Sequence, residues 1–219
     1  MARSWKSLLV YRIMDQDMRR CARLYLRGRL LDIGCGTKPY AAILREHVTE
    51  HVGVDRESPF DATARPELVG TAYSIPTPDA SFDSAISTAA LEHLDEPELA
   101  LRETQRVLKP GGIAVYTVPF IWHVHAEPWD YFRYTSHGLR HLFEKTGFEV
   151  VELYPLAGFW TTFITLFCYW LDRINVRPLR WMKIIPLFGV TLQMAGMAIH
   201  RFERSFQWTW MHTIVARRK

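Results

Sequence analysis

"LLDIGCGTKPY", Leu30 to Tyr40, decides the fold. Arg29 to Gly34 reads as a short apolar strand that runs straight into glycines, and Gly34 and Gly36 let the backbone turn sharply and approach a ligand closely. The turn is not a complete GxGxxG fingerprint, because Thr37-Lys38-Pro39 follows Gly36. A diphosphate cradle is therefore poorly supported, and a nucleoside carrying an amino acid is the other ligand such a turn receives. Next along the chain, His51-Val-Gly-Val-Asp55 reads as a second short strand. Its terminal acid lies about twenty residues after the glycines, a position from which a carboxylate can hold both hydroxyls of a ribose.

Outward from this pair the chain alternates. Glu67–Gly70, Phe82–Ser87, Gly112–Val118, Phe148–Leu153 and Trp208–Ala216 read as five further strands. Residues 4–27 carry Leu8, Leu9, Ile13, Met14, Cys21 and Leu24 at helical spacing and read as an amphipathic helix ending near Gly28. Asp95 is expected to cap a helix running to Leu108, with Pro97 in its first turn and Glu98 three residues on; Lys109-Pro-Gly-Gly112 stops it. Thr135 is expected to cap a helix through Lys145. Strands alternating with helices of this length imply βαβ units on a parallel sheet, and strands covered on both faces should be almost continuously apolar, as most of these are. The fold expected is a doubly wound α/β sheet.

Composition is consistent with that. A chain of 219 residues, 48% hydrophobic and 23% charged, suffices for one well-cored domain with a small appendage and is not disordered. Cys21, Cys35 and Cys168 are too scattered for a disulfide framework or a zinc pattern, which suits a reducing, cytoplasmic compartment. The apolar run Leu8–Tyr11 is too short for the core of a signal peptide. The net charge of +4 hides an asymmetry: from Asp172 onward nine Lys/Arg face two acids, giving +7, so the first 171 residues carry −3. A basic C-terminal part suggests an anionic partner, either a membrane surface or a phosphate-bearing molecule, or a merely solvated face.

"LLDIGCGT", "VGVD", "PTPDASFDSAISTAALEHL" and "RVLKPGG", in this order, resemble the class I S-adenosylmethionine-dependent methyltransferases, in their small-molecule branch, over roughly residues 29–154. The resemblance implies a seven-stranded Rossmann-like sheet whose last strand is antiparallel, with S-adenosylmethionine as cofactor. It implies that Asp32, Gly34, Cys35 and Gly36 border the methionine moiety, that Asp55 holds the ribose, and that Arg56 flanks the adenine. Thr71, Ala72 and Tyr73 would lie at the adenine edge, with Thr71 standing where the family often has an acid. Ser87 and Thr88 would face the sulfonium.

Methyl transfer from a sulfonium chiefly needs alignment, and a hydroxyl acceptor also needs a base. In some relatives an acid three residues before a Glu-His pair joins it in binding a divalent metal; here Glu92 and His93 are present, but Ala89 occupies the earlier position. No metal is expected there, and His93 reads as structural. The densest group of reactive side chains follows the fifth strand, in "IWHVHAEPWDYFRYT" from Ile121 to Thr135. If extended, it sets His123, His125 and Glu127 on one side, two imidazoles and a carboxylate without an evident fourth ligand. "HAEPWDYFRYT" resembles a stretch of methyltransferases of polysaccharide and lipid-glycan biosynthesis, which makes His125, Asp130 and Tyr131 the catalytic candidates, with His125 as base. Arg133 reads as an ion-pair partner of Asp130.

Between the sixth and seventh strands lie about fifty residues where the family has a short connection. Leu153–Leu171 and Ile184–Ile199 contain no charge, yet each falls short of the ~20 apolar residues a membrane span needs. Two helices packed on the domain are expected, as a lid, a dimer face or an interfacial anchor, with "DRINVRPLRWMK" (172–183) suited to a headgroup region. The organisation is thus 1–28 helix, 29–154 cofactor-binding core, 155–206 apolar insertion and 207–219 last strand. The function expected is O-methylation of a lipid-linked or amphipathic, glycan-type acceptor by a cytoplasmic protein peripheral to the inner face of the membrane. The alternatives are a homodimeric enzyme acting on a soluble small molecule and a non-catalytic cofactor-binding scaffold. No basic stripe beside the expected site suggests nucleic acid.

Overall fold

The computed structural model describes residues 4–57, 63–173 and 184–219. Its elements are α1 (Leu8–Tyr25), β1 (Arg29–Ile33), α2 (Ala41–Leu44), β2 (Glu50–Asp55), β3 (Leu68–Val69), β4 (Phe82–Thr88), α3 (Pro97–Val107), β5 (Leu108–Pro119), α4 (Ser136–Lys145), β6 (Phe148–Pro155), α5 (Phe159–Arg173), α6 (Ile184–His200) and β7 (Met211–Arg218), with 3-10 turns at Trp5–Ser7 and Leu91–His93. The seven strands form one sheet in the order β3-β2-β1-β4-β5-β7-β6. β7 runs antiparallel to both neighbours, and the remaining pairs are parallel. The chain order reverses between β1 and β4, so the carboxyl ends of these strands open onto the crevice where open α/β sheets bind ligands.

Both faces are covered, which is why the strands are apolar in consecutive rather than alternate positions. Leu30 and Val115 point to one side with Leu9, Met18 and Cys21 of α1, while Leu31, Ala114 and Tyr116 point to the other with Leu101 of α3 and Phe143 of α4. Each such aliphatic or aromatic side chain removed from water contributes about 1.5–3 kcal/mol. α1 is tied in by chemistry as well as packing: buried Asp17 accepts hydrogen bonds from Tyr154 Oη (2.7 Å) and Thr213 Oγ1 (2.7 Å).

Several boundaries differ from the sequence expectation. Asp95 does not cap α3; the N-cap is Glu96, without a side-chain cap, because Asp95 accepts the Tyr73 hydroxyl at 2.6 Å. Strand β5 starts at Leu108 rather than Gly112, since the Lys109–Gly112 excursion rejoins β4 through a register shift. The third strand shrinks to Leu68–Val69. The Thr135 cap is present, accepting from Gly138 N at 3.1 Å.

α5 and α6 pack on each other and on the N-terminal segment. The Leu9 amide donates to Gln193 Oε1 (2.8 Å), and Gln193 Nε2 donates to the Trp5 carbonyl (2.5 Å). Gly189 lets the Trp5 ring lie against the α6 backbone, where a Cβ would sit 2.1 Å from the ring. α5 turns Thr161, Thr162, Thr165 and Cys168 inward and leaves Phe159, Trp160, Phe163 and Trp170 exposed. Phe159, Phe163 and Phe167 stack in series at 6.4 and 5.9 Å, and Trp170 continues the row at 5.5 Å. Among the described residues no helix is long and apolar enough to cross a membrane. Most of the stretch read as suited to a headgroup region, 174–183, lies outside the described residues.

Candidate functional site

Gly34 and Gly36 both adopt positive φ, +70° and +49°. A Cβ at Gly34 would meet that of Ala90 at 2.9 Å, whereas nothing lies within 4 Å of one placed at Gly36. The first glycine therefore allows the turn to abut the segment after β4, and the second leaves open room on the ligand side. Asp55, at the end of β2, fastens the turn: its Oδ2 accepts from Gly36 N at 2.9 Å and its Oδ1 accepts from Arg56 N at 2.8 Å. Each oxygen keeps a further lone pair for a ribose hydroxyl. Lys38 underpins the same loop by pairing with Glu67, which also accepts from Gly53 N at 2.7 Å. A turn with exposed backbone, an acid beside it and empty space above Gly36 fit an adenosyl cofactor.

Other expected cofactor residues serve differently. Asp32 is buried, with its Oδ2 2.9 Å from His51 Nε2, so its carboxylate ties β1 to β2. Cys35 buries its thiol against Gly53, leaving only its backbone on the turn, and burial pushes the thiol up to about 12. Ser87 does not present its hydroxyl to the sulfonium region; fully buried, it donates to the Ile33 carbonyl at 3.0 Å. Thr88 occupies the end of β4. Thr71 pairs with Ser74 in an isolated bridge, with Ala72 and Tyr73 at its tip. The Tyr73–Asp95 hydrogen bond joins that segment to the start of α3.

The loop after β5 bridges two regions. Its centre docks on the turn after β4, where the Glu92 carbonyl accepts from Tyr131 N (3.0 Å) and Phe132 N (3.2 Å). At one side Trp129 lies beneath the Arg56 guanidinium, 5.1 Å from carbon to ring centroid. At the other, Trp122 and His123 meet Tyr169 of α5, at 4.9 and 5.1 Å between rings.

Within the loop, Asp130 is not a free acid. Arg133 grips it through Nη1–Oδ1 at 2.6 Å and Nη2–Oδ2 at 2.7 Å, and Oδ2 also accepts from His125 N at 2.8 Å. These donors hold its carboxyl well below the usual range against the opposing effect of burial. Asp130 thus positions the loop, as the Arg133 pairing anticipated. Tyr131 contributes its amide and leaves its ring exposed. His125 turns its Nε2 inward, 3.9 Å from Glu92 Oε1.

Glu92, which stands beside His93 in the sequence but was not expected to bind a metal because Ala89 occupies the earlier ligand position, has an unusual environment. It is fully buried, and neither carboxylate oxygen has a hydrogen-bond partner. Burial pushes it up to about 8. His93 Nε2 approaches the same Oε1 to 3.8 Å, so the ligand-type atoms of Glu92, His93 and His125 all lie within 4.8 Å of one another. The expected grouping of His123, His125 and Glu127 is not the one formed; the loop curls over the β4 turn instead of extending, which replaces two of its members by Glu92 and His93. The sequence signals were the Glu92-His93 pair itself and an acid between apolar residues, "ALEHL", at a strand end.

The fold, the glycine turn and Asp55 are similar to those of class I S-adenosylmethionine-dependent methyltransferase domains. Residues 31–116 match the family model described as a methyltransferase domain. The chain is 28% identical to rice 2-methyl-6-phytyl-1,4-hydroquinone methyltransferase 1 over 163 residues, covering 67% of this chain and 49% of that one. It is 31% identical to rice 24-methylenesterol C-methyltransferase 2 over 198 residues, covering 72% and 53%. It thus spans about half the length of these curated relatives. Among solved structures, an S-adenosylmethionine-dependent methyltransferase from Thermotoga maritima shares the fold at a TM-score of 0.59, with 20% identity over 97% of this chain and 93% of that one.

Proposed function

We propose that the chain transfers a methyl group from S-adenosylmethionine to a hydroxyl of a lipid-linked or otherwise amphipathic, glycan-type acceptor at a membrane surface. One observation carries this reading: a single loop touches the cofactor edge through Trp129 on Arg56 and the apolar insertion through Trp122 and His123 on Tyr169. An acceptor lying along α5 would arrive with its polar end at that loop. The aromatic row Phe159, Phe163, Phe167 and Trp170, exposed except at the half-buried Phe167, supports an apolar partner, since the outer face of a soluble helix is ordinarily polar. The rice relatives act, by name, on a phytyl hydroquinone and a sterol, both amphipathic.

When bound, the cofactor supplies a methyl carbon made electrophilic by its sulfonium. The chain's task is then to align and to exclude water. Asp55 would hold the ribose and the backbone at Gly34–Gly36 would receive the methionine end. Glu92, His93 and His125 would meet the acceptor, with both Nε2 atoms turned toward the same point. Incubating methyl-labelled cofactor with lipid, glycan and aqueous extracts tests the reading; label in the lipid or glycan fraction is expected, and label confined to the aqueous fraction overturns the amphipathic acceptor. The second reading, a soluble substrate with the aromatic row as a dimer face, rests on the same exposed stripe and requires a stable dimer in sedimentation.

A further inference from the structure

We infer that Glu92, His93 and His125 form a binding site for one divalent transition-metal cation of the zinc type, beside the methyl-transfer site. The site is built from two elements, the turn after β4 and the loop after β5, brought together by the Tyr131 and Phe132 amides on the Glu92 carbonyl.

The argument starts from Glu92. A carboxyl group removed from water with neither oxygen hydrogen-bonded is costly, and native chains rarely leave one so unless something else satisfies it. Two imidazole nitrogens lie close by, His93 Nε2 at 3.8 Å and His125 Nε2 at 3.9 Å from Oε1. Donors on a tetrahedral zinc lie about 3.3–3.5 Å apart, given metal–ligand distances near 2.0–2.2 Å. Closing the cluster onto an ion therefore draws each carboxylate–imidazole distance in by about 0.3–0.6 Å, and the widest separation in the cluster, which lies within 4.8 Å, by up to about 1.5 Å. The two rings stand at 70° with centroids 4.8 Å apart, an arrangement that brings two nitrogens to one point without stacking the imidazoles.

The outer contacts agree. A ligating histidine usually donates its other ring N–H to a carbonyl or carboxylate, which fixes the tautomer. His93 Nδ1 is 2.7 Å from the Trp129 carbonyl, so it carries the proton and Nε2 carries the lone pair. His125 Nδ1 is 3.3 Å from Asp130 Oδ2. Arg133 Nη2 lies within hydrogen-bond reach of the same nitrogen at 3.4 Å, and since a guanidinium only donates, His125 offers Nε2 to a cation in the tautomer in which Nδ1 donates to Asp130 instead. Two imidazoles and a carboxylate suit zinc, cobalt, iron or manganese better than magnesium or calcium, which prefer all-oxygen sites. Three protein ligands leave a position open, and an acceptor oxygen entering it would be held and acidified. This last clause rests on the proposed methyltransferase reading; the binding of the cation does not.

Cobalt(II) titration of the metal-stripped protein, with zinc competition and metal analysis, is the test. One equivalent of cobalt per chain with visible d–d absorption is expected, displaced by zinc. Glu92→Gln and His125→Asn should abolish the absorption, and Asp130→Asn should weaken affinity by about 10- to 100-fold through the loss of its hold on His125. His141→Ala, an exposed histidine on α4, should change nothing. Absence of cobalt uptake, or uptake unaffected in both Glu92→Gln and His125→Asn with each variant folded by circular dichroism, overturns the site. Calorimetry of S-adenosylmethionine binding on the same samples keeps the two ideas apart, since its failure touches only the methyltransferase reading.

Discussion

The Arg56 guanidinium sits over the indole of Trp129, joining the residue after the ribose-binding acid to the loop after β5. That contact sets the loop against the cofactor edge, and a partly exposed cation–π pair contributes about 0.5–1 kcal/mol. Trp129→Ala should weaken S-adenosylmethionine binding by about two- to fivefold, with Trp129→Phe close to the parent. Isothermal titration checks it; an unaltered affinity in the alanine variant would show that the loop is held without this pair.

Asp55 accepts two backbone amides and keeps lone pairs for the ligand. Hydrogen bonds to a charged group are each worth about 1.5–3 kcal/mol, so Asp55→Ala should cost at least about 10- to 100-fold in cofactor affinity. Asp55→Asn preserves shape but not charge and should fall between.

His125→Ala removes the acceptor-side nitrogen without touching the glycine turn. Turnover should fall by about 100-fold or more while cofactor affinity is retained. A single-turnover assay beside calorimetry separates the two effects, and equal losses in both would mean that the residue merely supports the fold.

The Asp130 side chain is 1% exposed and takes both arms of Arg133. Removing the arginine strands a buried charge, so Arg133→Ala should destabilise the domain by about 3 kcal/mol. Arg133→Lys should recover only part, because an ammonium cannot reproduce the two-pronged geometry. Urea unfolding of the three proteins gives the comparison.

His212, on β7, is fully buried between Phe120 and Phe206, and neither ring nitrogen has a partner. Burial drops it to about 4 from an ordinary 6.5. Between those values the unfolded chain takes up a proton that the folded chain refuses, so stability falls as pH falls through this window and is unaffected above it. The loss approaches about 3 kcal/mol near pH 4. His212→Phe should flatten the slope of the urea midpoint between pH 7 and 4.5; an unchanged slope would assign the acid sensitivity to other groups.

The sheet was legible because its signals are local. Leu30–Ile33 running into Gly34, and Val52–Val54 running into Asp55, state in a few residues both the strand and what ends it. The antiparallel return of β7 and the cofactor class were implied only by the family resemblance that several such segments carry together, not by any one of them. Boundaries were less legible where a side chain had two uses: Asp95 has the chemistry of a helix cap, but Tyr73, distant in sequence, takes its carboxylate.

The sequence by itself determined the covered parallel sheet, the glycine turn with its spaced acid, and an insertion with two uncharged apolar runs, all properties of spacing and hydropathy along one stretch of chain. Only the tertiary structure decided which reactive side chains meet. Asp130 is spent on Arg133 and Ser87 on Ile33, while Glu92, which no periodicity singles out, faces His93 and His125 from under the loop. Hydrogen bonds and buried charges are satisfied across segments far apart in sequence, so their partners are set by how the loop after β5 closes on the turn after β4 and by nothing readable within either segment.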